Sequence, residues 1–144
     1  FNAGDEPTEA QFAELIDSAM IPGLMGYTAV ALTADTTLAI ATHSTQVGAY
    51  VTMGADAKTL TLPAVVVGAT FIVVNIGAAA SQLLTISPNA NDKFLVDIAG
   101  AAGTDNKDII NTKATQAQYD YVKLTGLSAD GWLIEDIRGT WVDE

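Results

Sequence analysis

At 144 residues the chain is about one domain long, and a globule of that size buries roughly 68–70% of the surface its unfolded chain would expose. With 17 acidic and 6 basic residues the formal charge is -11, which repels nucleic-acid phosphates and anionic lipid at long range and excludes DNA, RNA and acidic membranes as expected partners. The chain has no cysteine, so disulfides, thiolate metal sites and thiol nucleophiles are excluded too.

Hydrophobic residues make up 49% of the chain and charged ones 16%, well under the charged share of about 25% usual for a globular domain. Ala, Val and Ile dominate the apolar share, with many Thr and Gly, and this mixture suits pleated, half-buried surfaces better than long helices. The expected fold class is mainly β. There is no apolar run of 18 residues and no basic flank before an apolar stretch, so the chain reads as soluble.

Residues 1–26 read as an N-terminal arm. Its polar start, Phe1-Asn2-Ala3-Gly4-Asp5-Glu6-Pro7, is followed by Thr8 and Gln11, which are spaced as a capping box. Phe12, Leu15, Ile16, Ala19 and Met20 then recur at helical spacing, while Glu9, Glu14, Asp17 and Ser18 fall off that stripe. Ile21-Pro22-Gly23 ends the pattern. A helix this short is marginal alone in water and must dock, either on its own domain or on a neighbouring subunit. Phe12, Leu15, Ile16 and Met20 are therefore expected partner contacts.

From Tyr27 the period changes to two, or to short apolar runs between turn residues, and residues 27–144 are expected to form one β-sandwich. The strands read as Thr28–Leu32, Thr37–Thr42, Ala49–Met53, Thr59–Leu62, Thr70–Ile76, Gln82–Ser87, Phe94–Ile98, Gln118–Leu124 and Trp132–Ile137. Short strands at this spacing predict an antiparallel β-sandwich or a jelly-roll-like domain, and no internal repeat stands out. Phe71-Ile72-Val73-Val74-Asn75-Ile76 is apolar on both sides except at Asn75, so it reads as a central strand buried on two faces. Gly100–Asp108 reads as a long exposed loop, and Asp130-Gly131 as the turn of a tight hairpin.

Catalysis would need a nucleophile with its base, a carboxylate pair, a metal cluster or a phosphate cradle, and none is evident. The single histidine, His43, stands beside Ser44, and neighbours on a strand point to opposite faces. No Gly-rich phosphate loop is present. The oxygen-rich runs at Asn89–Asp92, Asp105–Asp108 and Glu135–Asp136 lack EF-hand spacing and read as turn chemistry. The expected catalytic, cofactor and metal residues are none. Most aromatics read as core. Trp141, near the chain end, is expected to fill a pocket in its own or another subunit, which makes it a further candidate partner contact.

The run Pro7-Thr8-Glu9-Ala10-Gln11-Phe12-Ala13-Glu14-Leu15-Ile16-Asp17-Ser18 resembles a segment near the start of many tailed-bacteriophage virion proteins, among them head fibres, tail-fibre pieces and decoration proteins. Leu62–Asn75 and Leu84–Ala90 are similar to stretches of β-structured phage surface proteins; together these segments span under half the chain. The resemblance implies a capsid decoration (cement) protein. Such a protein would be a homotrimer, soluble in the host cytoplasm before assembly, then bound to the major capsid protein on the virion surface. A fibre component is the alternative. A carbohydrate-binding β-sandwich, with Trp132 or Trp141 as its platform, is a third expectation from another class.

Overall fold

The computed structural model describes residues 27–144; the expected helix over Thr8–Met20, with Phe12, Leu15, Ile16 and Met20, lies outside these described residues. In chain order the elements are β1 (Thr28–Leu32), β2 (Thr36–Thr37), α1 (Ile40–His43), a 3-10 turn at Thr45–Val47, β3 (Ala49–Met53), β4 (Lys58–Thr61), β5 (Thr70–Asn75) and β6 (Leu84–Ser87). After these come β7 (Lys93–Phe94), β8 (Ile109–Asn111), β9 (Asp120–Ser128), β10 (Gly131–Arg138) and β11 (Trp141–Asp143). The fold is mainly β, in a six-stranded sheet of order β1-β3-β5-β9-β10-β7 and a five-stranded sheet of order β11-β8-β6-β4-β2.

Both sheets are mixed, which corrects the expectation of an antiparallel or jelly-roll-like domain. The first half of the chain alternates between sheets, so each strand returns to its own sheet only after visiting the other, and it returns in the same direction. Thr28 thus faces Ala49, Val51 faces Val73, Thr36 faces Leu60 and Lys58 faces Leu84, all in parallel pairs. Parallel neighbours need a crossover of a dozen or more residues, usually a helix. Here the crossover is a strand of the opposite sheet. The chain therefore winds as a coil whose repeat lies in backbone register rather than in residue letters, which is why no repeat stands out in the sequence. From β8 onward the winding stops, and β6–β8, β8–β11, β5–β9 and β9–β10 pair antiparallel, with only β9 and β10 joined by a tight turn.

Inward side chains of the two sheets form one hydrophobic cluster. Val51, Met53, Phe71, Val73, Val122, Leu124 and Trp132 come from the six-stranded sheet, and Leu60, Leu84, Ile86, Ile109 and Trp141 from the five-stranded one. Full burial of each large aliphatic or aromatic group contributes about 1.5–3 kcal/mol. Phe71 and Trp132 also meet as a tilted aromatic pair, centroids 5.5 Å apart and planes at 60°. A polar chain crosses this interior at one end. Asn75 Nδ2 donates to Asn111 Oδ1 (2.9 Å), and Asn111 Nδ2 donates to Asp120 Oδ2 (2.9 Å) and to the Thr140 carbonyl (3.0 Å). Asp120 Oδ2 also accepts from the Ala117 amide at 2.9 Å.

Several local expectations change. β5 is central in its sheet, but only Phe71, Val73 and Asn75 are fully buried, whereas Ile72 and Val74 are half-buried on the other face. The strand expected over Thr37–Thr42 stops at Thr37 and becomes α1. There His43 Nδ1 accepts from the Ala39 amide (3.0 Å) and Ser44 Oγ donates to the Ile40 carbonyl (2.6 Å), local bonds that compete with a sheet ladder. The strand expected over Phe94–Ile98 is only Lys93–Phe94, followed by an isolated bridge from Val96 to Ala102. Strands β8 and β11 have no counterpart among the expected elements.

The β9–β10 hairpin forms where expected, with Gly131 paired to Ser128. An Asp-Gly pair suits a tight turn through positive φ, but neither Asp130 nor Gly131 takes one here. The turn instead uses Ser128 Oγ, which accepts from the Asp130 amide at 3.2 Å. Glycine at 131 answers a different need: a Cβ there would lie 2.2 Å from the Lys93 carbonyl oxygen of β7.

Candidate interaction surfaces

Strand alternation sends every second residue of the six-stranded sheet to its outer face. Tyr50, Ile72, Val74, Tyr121 and Lys123 meet there, with Tyr27 and Asp136, around a groove of about 360 Å³. The register places Ile72 beside Lys123, Val74 beside Tyr121 and Lys123 beside Asp136. The floor is apolar and one side is polar. Tyr121 donates its hydroxyl to Asp136 (2.7 Å), Lys123 pairs with Glu135 (2.9 Å), and Thr125 donates to the same Glu135 oxygen (2.8 Å). The hydrogen bond to Asp136 raises the Tyr121 phenol above its ordinary range. The hydrogen bond between Lys123 and Glu135 raises the ammonium and lowers the carboxyl.

Four further aliphatics are exposed on the 3-10 turn, on the β4–β5 loop and at the end of β9. Val47, Val66, Val67 and Leu127 are 45, 51, 64 and 56% exposed, well above what large aliphatics show inside this domain. Hydrogen bonds among their sequence neighbours tie these segments to one another. Gln46 donates to the Gly68 carbonyl (2.6 Å) and accepts from the Thr70 amide (3.2 Å), while the Gly68 amide donates to the Gly126 carbonyl (2.8 Å). Gly126 has to lack a side chain because its Cβ would lie 2.3 Å from the Val66 carbonyl oxygen. This close approach brings the Val66–Val67 loop against the strand that carries Leu127.

A shallow pocket of about 170 Å³ gathers Asp97, Lys107, Asp143 and Glu144, but its carboxylates serve as turn staples. Asp143 accepts from the Ile98 (2.9 Å) and Ala99 (3.3 Å) amides, Asp97 accepts from Ala101 (2.7 Å), and Glu144 pairs with Lys107 (3.6 Å). Among the described residues, no group of three or more His, Asp or Glu side chains could hold a metal ion. His43 and Ser44 stay apart. Ser44 is fully buried with its hydroxyl on Ile40, while Nδ1 of His43 faces Ala39 and Thr42.

Of the expected partner contacts, only Trp141 lies within the described residues. It fills a pocket in its own fold, 4% exposed, with Nε1 donating to the Arg138 carbonyl at 3.0 Å, so its indole has no face left for a partner. Trp132 is fully buried, and neither tryptophan can serve as a sugar platform. The aromatics divide by polarity. Phe71, Phe94, Trp132 and Trp141 are inside, and Tyr27 and Tyr119 are exposed. Sequence reasoning missed the tyrosine-lined groove because the outward residues Ile72 and Val74 were read as a second buried face. The run Val65-Val66-Val67 before Gly68 was the available signal for the exposed valines of the β4–β5 loop. No family model matches this chain, and no curated protein matches it either.

Proposed function

We propose that this chain is a virion structural protein of a tailed bacteriophage, a capsid decoration (cement) protein that sits as a homotrimer on the outer surface of the head and contacts the major capsid protein. In this reading its two mixed sheets face one another as a sandwich-like brick. The observation that carries the proposal is the exposure of the large aliphatics Val47, Val66, Val67 and Leu127 on segments joined by hydrogen bonds. Exposed apolar groups on such segments are what a subunit presents to a neighbour or to a shell. The resemblance of the Pro7–Ser18 and Leu62–Asn75 segments to phage surface proteins gives the class of assembly, and the formal charge of -11 keeps such a surface off packaged or stray DNA.

A fibre component is the second reading, and the parallel coil favours it. β1 and β2 are the outermost strands of their sheets among the described residues, so another chain could extend the ladder there. Immunogold labelling of particles from a phage that encodes the protein separates the two. Label spread over the whole shell supports decoration, label confined to the tail or to isolated vertices supports a fibre, and particles without label refute both.

A further inference from the structure

We propose that the tyrosine-lined groove on the outer face of the six-stranded sheet binds a neutral sugar, its ring lying against Tyr50 and Tyr121 over Ile72 and Val74, with hydroxyls bonded to Asp136 and Lys123. This inference stands apart from the virion assignment. It concerns a site within one subunit, and either can hold without the other.

Strand register builds the floor and the walls. Ile72 and Val74 point outward from β5, third of the six strands, and both are half-buried. Val74 is flanked in register by Thr52 of β3 and Tyr121 of β9, so Tyr50, two residues before Thr52, shares this outer face and stands level with Ile72. β3 and β9 are two strand spacings apart, about 9–10 Å, so their rings rise on either side of the β5 floor. Tyr27 adds a third ring to the lining. The volume of about 360 Å³ falls at the lower end of the range of about 300–1,000 Å³ typical of small-molecule sites.

The polar side is held in place before any ligand arrives. Asp136 accepts from the Tyr121 hydroxyl through one oxygen (2.7 Å) and from the Ile137 amide through the other (2.9 Å), which leaves a further lone pair on each. Lys123 gives one of its three donors to Glu135 and keeps two. Side chains fixed by such bonds lose little further freedom on binding.

Charge and ring type select the ligand. Lys123 and Arg138, which the register sets beside Asp136 and Tyr121, offset Glu135 and Asp136. A quaternary ammonium would meet Lys123, and a sulfate or carboxylate would meet Asp136 and Glu135. A neutral polyol meets neither penalty and uses both the donors and the acceptors. Tyrosine offers its ring face to the C–H face of a sugar and keeps a hydroxyl for hydrogen bonds. With Trp132 and Trp141 buried, the tyrosines are the rings left to form a platform.

The test uses the full chain on an array of neutral glucose, galactose, mannose and N-acetylglucosamine oligosaccharides, with sulfated and sialylated glycans beside them. The unmutated protein should bind at least one neutral glycan. Titration with that glycan should shift the amides of Tyr50, Ile72, Val74 and Tyr121 and leave Thr85, on the other sheet, in place. Tyr50→Ala and Tyr121→Ala should each weaken binding at least about tenfold. Tyr121→Phe and Asp136→Asn, which keep shape and guard against misfolding, should each weaken it at least about threefold. Failure to bind any neutral glycan, binding confined to the charged glycans, or affinity unchanged in these four variants overturns the proposal. Groove amides that shift on dilution without any glycan would assign the groove to a second copy and overturn it equally.

Discussion

Asn75 of β5 donates its side-chain amide to Asn111 of β8 at 2.9 Å, so the two sheets are joined through the interior by a polar bond as well as by apolar packing. Both residues are fully buried, and Asn111 also serves Asp120 and the Thr140 carbonyl. Asn111→Leu keeps the branched shape of the side chain but removes every one of these bonds, leaving buried polar atoms without partners. The expected loss is about 2–4 kcal/mol, read from the urea midpoint. A loss below about 0.5 kcal/mol would mean that water replaces the bridge.

Trp141→Ala tests whether the end of the chain belongs to the core. The indole packs in the cluster shared by both sheets, so its removal should cost about 3–5 kcal/mol in thermal or urea unfolding. A side chain held by a partner instead would leave the isolated protein nearly unchanged.

The strands of the first coil, Thr28–Leu32 and Ala49–Met53, are legible in the sequence because each is a short apolar run bounded by turn residues. Their direction of pairing is not, since alternation with period two reads the same for parallel and antiparallel neighbours. β8 and β11 are each three residues long, too short for any period to register. α1 depends on the side-chain bonds of His43 and Ser44 to backbone, which no hydrophobic pattern reveals. The groove escaped for another reason. Ile72 and Val74 carry the same signal whether the chain's own core or a bound ligand covers them.

The exposed aliphatics give a test in which stability and association separate. Val67→Asp and Leu127→Asp change residues more than half exposed, so unfolding free energy should move by no more than about 0.5 kcal/mol. Self-association should weaken at least tenfold, measured by sedimentation over a dilution series. Unchanged association would show that these residues face solvent in the oligomer.

Acid sensitivity follows from Glu135 and Asp56. The hydrogen bond from Lys123 lowers the Glu135 carboxyl, and that from Lys113 lowers Asp56. A carboxyl lowered by folding stabilises the native state above its ordinary range of about 4, and that contribution fades as pH falls through the lowered folded value. The urea midpoint should therefore decline below about pH 4, and less steeply in Glu135→Gln. Both pairs are solvent-exposed, so the difference should be small and should shrink in high salt.

Sedimentation equilibrium of the purified full chain at micromolar concentration is the most direct check that this domain is made to be covered by copies of itself. The expected species has three times the 14.9 kDa chain mass. A single 14.9 kDa species at every concentration, with Val66, Val67 and Leu127 left facing water, would contradict it.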